Sequence, residues 1–575
     1  MKDYTWVIQE LETIPDVENW SNTLQIHPKI VPLLWQRGFK SIESSDSFFK
    51  PSTKQLHSPF LMADMQKAVD RLDFAISNNQ KILVYGDYDV DGTTSVAICY
   101  SFLKKLQCNV SYYVPDRYTE GYGVSMKGIE YAIQQKVDLL ITLDCGIKAN
   151  ETIEYASKHG IDVIVCDHHE QGDVLPPAYA VLDPKRKDCK YPFKELSGCG
   201  VGFKLLHAYC EKKKISLKEN LYCYLDILAI SIASDIVPII DENRIYMYFG
   251  LLKMKAIPHI GIKAMILTSS MSNNVTVRDV VFVIGPRINA AGRIYKASTS
   301  VELLISENFD EAVTICEKIN DYNTERRNLD KAITQEAIKL IESDKKSVNK
   351  VTNVLYKPDW VKGVIGIVAS RVIETYYKPT IIFCGEGEII SASARSVADF
   401  DLYHALEECS YLLENFGGHT YAAGMTLKRE KFQEFADAFE NVVSKRITPL
   451  QLQPKIKIDV ELETTDVTLS LYDQLQRFEP FGPQNMTPVF IINNLVDTGD
   501  SRVVGSDESH LKLSLCHPDL PEIIVEGIGF GLSKKWIELK KTTSTFDVCF
   551  VLKENVFKGI RKVQMEIRDI RVASL

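Results

Sequence analysis

No stretch of this 575-residue chain approaches the ~18 uninterrupted apolar residues that a membrane span requires, so the sequence predicts no transmembrane helix. The opening segment, MKDYTWVIQELETIPDVENW, has neither the basic start nor the apolar core of a secretory signal. Thirteen cysteines are present, an odd number, and no two stand at C-x-x-C spacing. That argues against a disulfide scaffold or a zinc ribbon and for reduced thiols in a cytoplasmic protein. An excess of positive charge is missing too, the formal net charge being −9. A protein that coats nucleic acid is basic overall, whereas an enzyme with a local basic channel need not be. What is present is ordinary globular composition, 45% hydrophobic and 25% charged, which excludes disordered and collagen-like chains. The length implies three or four domains of about 100–200 residues each.

Residues 1–60 are punctuated by Trp and Pro and read as an N-terminal extension with no recognisable chemistry. From about residue 65 strands alternate with helices. KILVYG (81–86) is a short apolar strand followed by an Asp-rich loop, and TTSVAICYSFLKKL then places Val96, Cys99, Phe102 and Leu106 at helical spacing. CNVSYYVPDR reads as another strand. VDLLITLD (137–144) and IDVIVCD (161–167) are continuous apolar runs of the kind found in buried parallel strands, with KANETIEYASKHG as a short helix between them. The alternation predicts an α/β domain with a doubly wound parallel sheet over 61–300. LYCYLDILAISIASD is apolar nearly all round, and periodicity does not decide between helix and strand. A long polar stretch predicts a connecting helix over 301–348. A second α/β unit follows over 349–447, with strands VTNVLYK and PTIIFCG, a helix-like GVIGIVASRVIE and a glycine cluster, FGGHTYAAG. Over 448–575 short alternating strands (KIKIDVELE, HLKLSLC, EIIVEGIGF, FDVCFVLKENVF, RKVQMEIRDIRV) predict a small OB-like β-barrel, with a sandwich as the alternative.

GDYDVDGTTS directly follows the strand KILVY. Asp87, Asp89 and Asp91 alternate by two, so extended backbone would turn all three to one side. Three carboxylates that close resist joint ionisation unless a cation neutralises them. Gly86 and Gly92 permit a tight backbone, and Thr93, Thr94 and Ser95 are expected to open the next helix, where free N–H groups favour anions. Without metal, the same loop would only cap a helix. The next apolar strand ends in Asp144, and the one after it in Asp167, His168 and His169. In an open parallel sheet the carboxyl ends of the strands line one crevice. Mixed carboxylate and imidazole ligation suits Mn²⁺, Mg²⁺ or Zn²⁺. A set this anionic can hold two cations of the kind that serve phosphoryl hydrolysis. Asp235 is a further candidate, with a plain helix C-terminal role as the alternative.

The order GDYDVDG, LDCG, DHH and ASD resembles the DHH phosphoesterase superfamily, and SARS (393–396) with FGGHTYAAG (416–424) is similar to its companion DHHA1 domain. VPDRYTEGYG (114–123), SGCGVGFKL (197–205), GPRINAAGRI (285–294), GVIGIVASR (363–371) and EPFGPQN (479–485) resemble the RecJ exonuclease branch of that superfamily, from about residue 80 to the C-terminus. The resemblance implies a single-stranded-DNA-specific 5′→3′ exonuclease that hydrolyses phosphodiester bonds with two divalent cations, Mn²⁺ or Mg²⁺. It implies release of 5′-mononucleotides in DNA repair and recombination. It implies metal ligation by Asp89, Asp91, Asp144, His168 and Asp235, with Asp87 and His169 as ligands or close neighbours and Asp167 orienting the histidine pair. Arg287, Asn289 and Arg293, in a loop, would hold substrate phosphates, an arginine fork matching phosphate geometry. Ser393, Arg395 and Ser396 would bind the 5′-terminal phosphate, and Gly417, Gly418 and His419 would let backbone and imidazole approach the strand.

The implied partners are single-stranded DNA at its 5′ end, a single-strand-binding protein and a helicase, with no membrane and a monomeric chain. Two departures stand out. Val361 occupies a position where RecJ proteins usually have His, and Gln484 and Met486 stand where glycine and proline are commoner. No ligand position is lost, so an active enzyme is expected. Tyr112, Tyr113, Tyr122 and Phe557 could stack bases, although most aromatics at strand spacing are core. The basic runs KRKDCK (185–190) and EKKK (211–214) read as ordinary solvated faces and are assigned no role. Two other functions compete: a DHH phosphodiesterase acting on short oligonucleotides or signalling dinucleotides, and a non-catalytic replication scaffold. The barrel-like tail argues against the first and the complete ligand set against the second.

Overall fold

Ile82 and Val84 project to one side of the strand Ile82–Gly86 and Leu83 and Tyr85 to the other, and all four are buried. A strand apolar on both sides needs a covering layer on each face, which a parallel sheet obtains from its crossover helices. The computed structural model describes residues 4–573 apart from 12, 14, 15, 345–348, 542 and 543. It places this strand in a five-stranded, wholly parallel sheet in the order Val110–Tyr113, Ile82–Gly86, Leu139–Leu143, Asp162–Cys166, Ala180–Leu182. Helices Val90–Lys105 and Gly198–Lys213 cover one face through Val96, Phe102, Val201 and Leu205. Helices Met126–Gln134 and Asn150–Lys158 cover the other through Ile129, Ala132, Ile153 and Ala156. The first strand in sequence lies between the second and the third, so the winding reverses there. The point between Ile82–Gly86 and Leu139–Leu143 is therefore the switch point at which doubly wound sheets bind ligands. This sheet belongs to a unit formed by residues 51–332 and 480–485.

Three local expectations are corrected in this unit and one open reading is decided. The Asp-rich segment is not extended: the strand stops at Gly86 and a helix begins at Val90, so Asp91 sits in its first turn. Thr93, Thr94 and Ser95 do not open that helix; their hydroxyls donate back to carbonyl oxygens of Asp89, Val90 and Asp91. GPRINAAGRI is a helix, Gly285–Ile294, rather than a loop. The undecided apolar run is the helix Leu225–Ser234, buried on nearly every side. The polar connecting helix also starts later than expected. Ser298–Leu304 is a separate short helix, and the long one, Phe309–Ser343, begins where Asn308 Oδ1 accepts the N–H groups of Asp310 and Glu311 at 2.9 and 3.2 Å. Of the span expected for it, residues 345–348 lie outside the described residues.

The other unit comprises residues 1–50, 333–479 and 486–575. It contains a mixed five-stranded sheet in the order Asn415–His419, Ala422–Lys428, Ile389–Arg395, Thr380–Cys384, Asn353–Lys357. It also contains a closed barrel. Phe490–Asp497 pairs with both His510–His517 and Thr545–Phe557, and the ring is completed through Leu520–Gly529 and Ile560–Val572. The ring order first, second, third, fifth, fourth is that of an OB barrel, which removes the sandwich alternative.

One predicted barrel strand is misplaced: within KIKIDVELE, Lys455–Ile458 pairs in parallel with Thr5–Ile8 instead of joining the ring. Phe490–Asp497 was not expected as a strand, because a bulge between Ile492 and Leu495, with Asn494 at φ +56°, breaks its alternation. The N-terminal extension is thus structured. Its helices Val17–Leu24, Ile30–Gln36 and Ile42–Phe49 bring Phe48 and Phe49 each within 5.4 Å, ring to ring, of Phe478. Among the described residues no helix is long and apolar enough to cross a membrane.

Candidate metal centre

Three glycines explain how so many carboxylates reach one place. A Cβ on Gly86 would lie 2.5 Å from Val96 Cγ2, and one on Gly92 would strike the Asp87 backbone. Only this pair lets the GDYDVDG turn fold back tightly enough to start the helix at Val90. Gly198 is the third: its Cβ would stand 2.6 Å from Asp144 Cβ.

Each acidic residue is held differently. Asp89 is the N-cap of Val90–Lys105, its Oδ1 accepting the Gly92 N–H at 3.1 Å. Asp91 is buried, and its carboxylate accepts the N–H groups of Gly198 and Cys199 at 2.7 and 2.9 Å and the Ser231 hydroxyl at 2.6 Å. The helix Gly198–Lys213 therefore presents its positive end to Asp91. Asp144 follows the third-in-sequence strand in left-handed backbone, φ +60°. Asp235 is the C-cap of Leu225–Ser234. Asp167 accepts from the backbone N–H of Ile147 and His168 and from His169 Nδ1 at 2.9, 2.8 and 2.7 Å.

His168 is where they meet. Its Nε2 lies 3.3 Å from Asp144 Oδ1, 3.6 Å from Asp235 Oδ2 and 3.8 Å from Asp91 Oδ2. Ligand atoms of Asp91, His168 and Asp235 form one cluster and those of Asp144, His168 and His169 a second, so the two share His168. Asp87 is fully buried beside this set, with one oxygen 3.3 Å from the Gly123 N–H and the other without a partner.

Electrostatics explain what the cluster is built for. Burial, reinforced by the neighbouring carboxylates, pushes Asp87, Asp144 and Asp235 well above the usual carboxylate range. Burial also raises Asp91, with His168 opposing. Burial lowers His168. His169 is raised, because Asp167 outweighs its desolvation. Asp167 alone is held down, to about 2, its hydrogen bonds and the two histidines overcoming burial. Several buried carboxylates that repel one another, an oxygen of Asp87 with no donor and an imidazole nitrogen facing three acids together fit a hard divalent cation. The acidic and histidine residues expected to bind metal thus converge, although Asp89 is placed through its cap and Asp87 lies outside the tight clusters.

Spacing did not reveal some supporting residues. Ser231 and the N–H groups of Gly198 and Cys199 belong to SGCG and to an apolar run, and their role depends on how the chain folds. The Tyr122 hydroxyl lies 3.0 Å from His169 Nε2, a contact that base stacking alone would not predict. Arg117 stacks on the Tyr88 ring at 3.9 Å, where its charge partly opposes the upward shift of Asp87. Both Arg117 and Tyr122 lie in VPDRYTEGYG (114–123).

The phosphate-handling candidates divide between the two units. In the first, Gly292 lets the helix Gly285–Ile294 approach Tyr88, its Cβ position lying 2.7 Å from the Tyr88 carbonyl oxygen. Arg293 is beside this contact, and its carbonyl accepts the Tyr118 hydroxyl. Asn289 keeps a buried Oδ1 without a partner. Arg287 instead donates to Asn320 Oδ1 and the Val283 carbonyl at 2.8 and 2.9 Å, which ties down its helix.

In the other unit, Ala422 pairs with Arg395 and Gly424 with Ser393, and Gly417 and Gly418 lie on the adjoining strand, so SARS and GGH are neighbours in one sheet rather than loops. His419 is exposed at the turn of that hairpin. Arg395 Nη1 donates to Ser393 Oγ at 3.1 Å, and Gly366 leaves room for Arg395 Nη2, 3.0 Å from its Cβ position. The Ser396 hydroxyl donates to the Phe400 carbonyl at 2.8 Å, so it anchors a turn and has no proton left to donate. Val361 begins the turn before the helix Ile365–Thr375, its carbonyl accepting the Val364 N–H at 3.0 Å. Gln484 adopts φ +59°, which is why glycine suits that position.

A switch-point cluster of Asp and His residues on a parallel sheet, in a chain that also carries SARS and GGH strands, defines a DHH–DHHA1 protein. Residues 81–232 match the DHH family, N-terminal domain, residues 348–445 the DHHA1 domain and residues 458–569 the RecJ OB domain. The Single-stranded-DNA-specific exonuclease RecJ of Escherichia coli is 31% identical over 95% of this chain and 96% of its own length. That of Bacillus subtilis is 36% identical over 89% of this chain, which spans 64% of that protein. The crystal structure of Thermus thermophilus RecJ in complex with Mn²⁺ superposes with a TM-score of 0.83 at 25% identity, over 99% of this chain and 80% of that one. The chain belongs to the RecJ family.

Proposed function

We propose that this chain is a single-stranded-DNA-specific 5′→3′ exonuclease that hydrolyses phosphodiester bonds and releases 5′-mononucleotides, in DNA repair and recombination. The observation that carries this reading is the approach of Asp144, Asp235 and Asp91 to His168 Nε2 at 3.3–3.8 Å, at the switch point of the sheet. Two divalent cations, Mn²⁺ or Mg²⁺, held by Asp89, Asp91, Asp144, His168 and Asp235, with Asp87 and His169 as ligands or neighbours, would supply a water activated for attack and neutralise charge on the leaving oxygen.

The chain's own residues do the positioning. The N–H groups of Gly198 and Cys199 and the Ser231 hydroxyl aim the Asp91 carboxylate. Asp167 holds the proton on His169 Nδ1 and so fixes which ring nitrogen faces Tyr122. Asn289 and Arg293, with Arg287 steadying their helix, contact phosphates in one unit. Ser393 and Arg395, with Gly417, Gly418 and His419, receive the 5′-terminal phosphate in the other. A helicase and a single-strand-binding protein are the partners this activity calls for, and the enzyme works in the cytoplasm as a monomer.

The direct test uses end-labelled oligonucleotides with Mn²⁺, in single-stranded, blunt duplex and 5′-blocked forms. Stepwise loss from the 5′ end of the single strand alone is expected. Cleavage confined to di- to pentanucleotides would replace the reading with a short-substrate phosphodiesterase, and cleavage of nothing would leave a binding scaffold.

A further inference from the structure

The basic run KRKDCK (185–190), which reads from sequence as a solvated face, is divided by the fold. Arg186 turns inward: it is buried, and its guanidinium donates to Asp64 and Asp188 at 2.7 Å each. Lys187 and Lys190 are exposed. Lys185 does neither. Its side chain is 22% exposed, and the acid it approaches, Glu195, stands at 3.9 Å, too far for a hydrogen bond.

The surrounding contacts fix where Lys185 stands. Its N–H donates to Asp183 Oδ1 at 2.7 Å. Asp183 follows the strand Ala180–Leu182, whose last carbonyl accepts the Asp167 N–H at 3.0 Å, so the run leaves the sheet beside Asp167, His168 and His169. On the other side the buried Asn243 donates to the Glu195 carbonyl at 2.6 Å and to the Pro238 carbonyl at 3.0 Å. That amide binds the Glu195 segment to the chain that has just passed Asp235. Lys185 therefore lies between the His168 and Asp235 sides of the acidic cluster, and its charge is felt at both. Burial, Asp91 and Asp89 raise the Asp235 carboxyl, and Lys185 opposes them. Burial lowers His168, and Lys185 adds to that effect.

A cation in this place works against metal binding, because an ammonium repels a divalent cation and offers it no lone pair. Its use begins when another anion arrives. Asp87, Asp89, Asp91, Asp144 and Asp235 bring more negative charge than two divalent cations neutralise, so a loaded centre still repels a phosphodiester. An ammonium held loosely by one acid answers that repulsion.

We infer that Lys185 is a further substrate-binding residue, its ammonium meeting a non-bridging oxygen of the scissile phosphate. The inference rests on the proposed metal-dependent hydrolysis of single-stranded DNA. Negative charge builds on that phosphate as water attacks, so the contact is stronger in the transition state than in the bound strand. Its loss is read in kcat more than in KM.

The test joins steady-state cleavage of (dT)30 at saturating Mn²⁺ with calorimetric Mn²⁺ titration of the DNA-free chain. Lys185→Met is expected to lower kcat about 100-fold with little change in KM. It should also raise Mn²⁺ affinity roughly three- to tenfold. Lys185→Arg, which keeps the charge, should return Mn²⁺ affinity to the parental value and recover most of kcat. Glu195→Gln and Lys187→Met should leave kcat near the parental value, and thermal melting of each variant reports whether the fold is intact. Parental kcat in Lys185→Met overturns the inference. So does a loss of kcat with unchanged Mn²⁺ affinity, which would put the ammonium away from the metals. An equal loss in Glu195→Gln also overturns it, by making the pair a pin for the loop. A parent that cleaves no DNA removes the proposed function instead, and the Mn²⁺ titration then judges Lys185 alone: raised affinity in Lys185→Met keeps the ammonium at the centre, and unchanged affinity overturns the inference.

Discussion

Asp91 accepts the N–H of Gly198 at 2.7 Å, and the same glycine leaves the space into which Asp144 packs, its Cβ position being 2.6 Å from Asp144 Cβ. One residue thus holds one carboxylate by its backbone and admits another by having no side chain. Gly198→Ala should displace Asp144 from His168 while leaving the hydrophobic core alone. Mn²⁺ affinity, measured calorimetrically, is expected to fall about 10–100-fold with little change in melting temperature. Unchanged affinity would show that the two carboxylates are placed independently of Gly198.

Asp144→Ala removes a carboxylate common to the centre but leaves the rest of the surface intact. Hydrolysis should disappear while affinity for oligonucleotide persists. In chelator the variant should melt no lower than the parent, because burial and neighbouring carboxylates already disfavour an ionised Asp144. Mn²⁺-dependent turnover by this variant would sink the metal assignment.

Asp183 offers a pH test at a residue that is not itself a proposed ligand. It is buried, accepts the Lys185 N–H at 2.7 Å through Oδ1, and burial raises its pKa to about 7. A carboxyl raised in the folded state contributes stability that is fully present below its unfolded pKa and is lost as pH rises through 7. Asp183→Asn keeps the acceptor for Lys185 and cannot ionise. Its melting temperature should exceed that of the parent at pH 8 and approach it at pH 5. A difference independent of pH would mean that Asp183 ionises freely in the fold.

Lys204 and Glu242 form a fully buried ion pair at 2.5 Å, with Tyr191 donating to the second Glu242 oxygen. Burial lowers the Lys204 pKa, and Glu242 is the main charge opposing that shift. Lys204→Met leaves a buried carboxylate without its cation and should destabilise the chain by about 3–5 kcal/mol in denaturant titration. Lys204→Met with Glu242→Gln should recover much of that loss. A double variant no better than the single one would show that the cost is one of shape rather than charge.

Most of the acids and histidines gathered at the switch point were legible in the sequence because they close an apolar strand or a helix, and parallel strands bring their carboxyl ends to one edge whatever lies between them. Asp144 and the Asp167–His168–His169 run follow from that rule alone. Asp91 did not follow from it. Alternation pointed to it in extended backbone, whereas the structure has a helix starting at Val90, and Asp91 reaches the centre from that helix's first turn. The strand Phe490–Asp497 was hidden by its bulge, and the pairing of Lys455–Ile458 with Thr5–Ile8 joins residues about 450 apart, beyond any local pattern.

By itself, then, the sequence pointed to the acids and histidines that the fold gathers and to the segments that form strands with two buried faces, since both are properties of local composition and order. Tertiary structure decided which donors hold each carboxylate. It decided that Arg287 and Ser396 are tied to Asn320 and Phe400, and that Arg186, within a basic run, is buried against Asp64. Those facts depend on distances between residues far apart in the chain, which no spacing encodes.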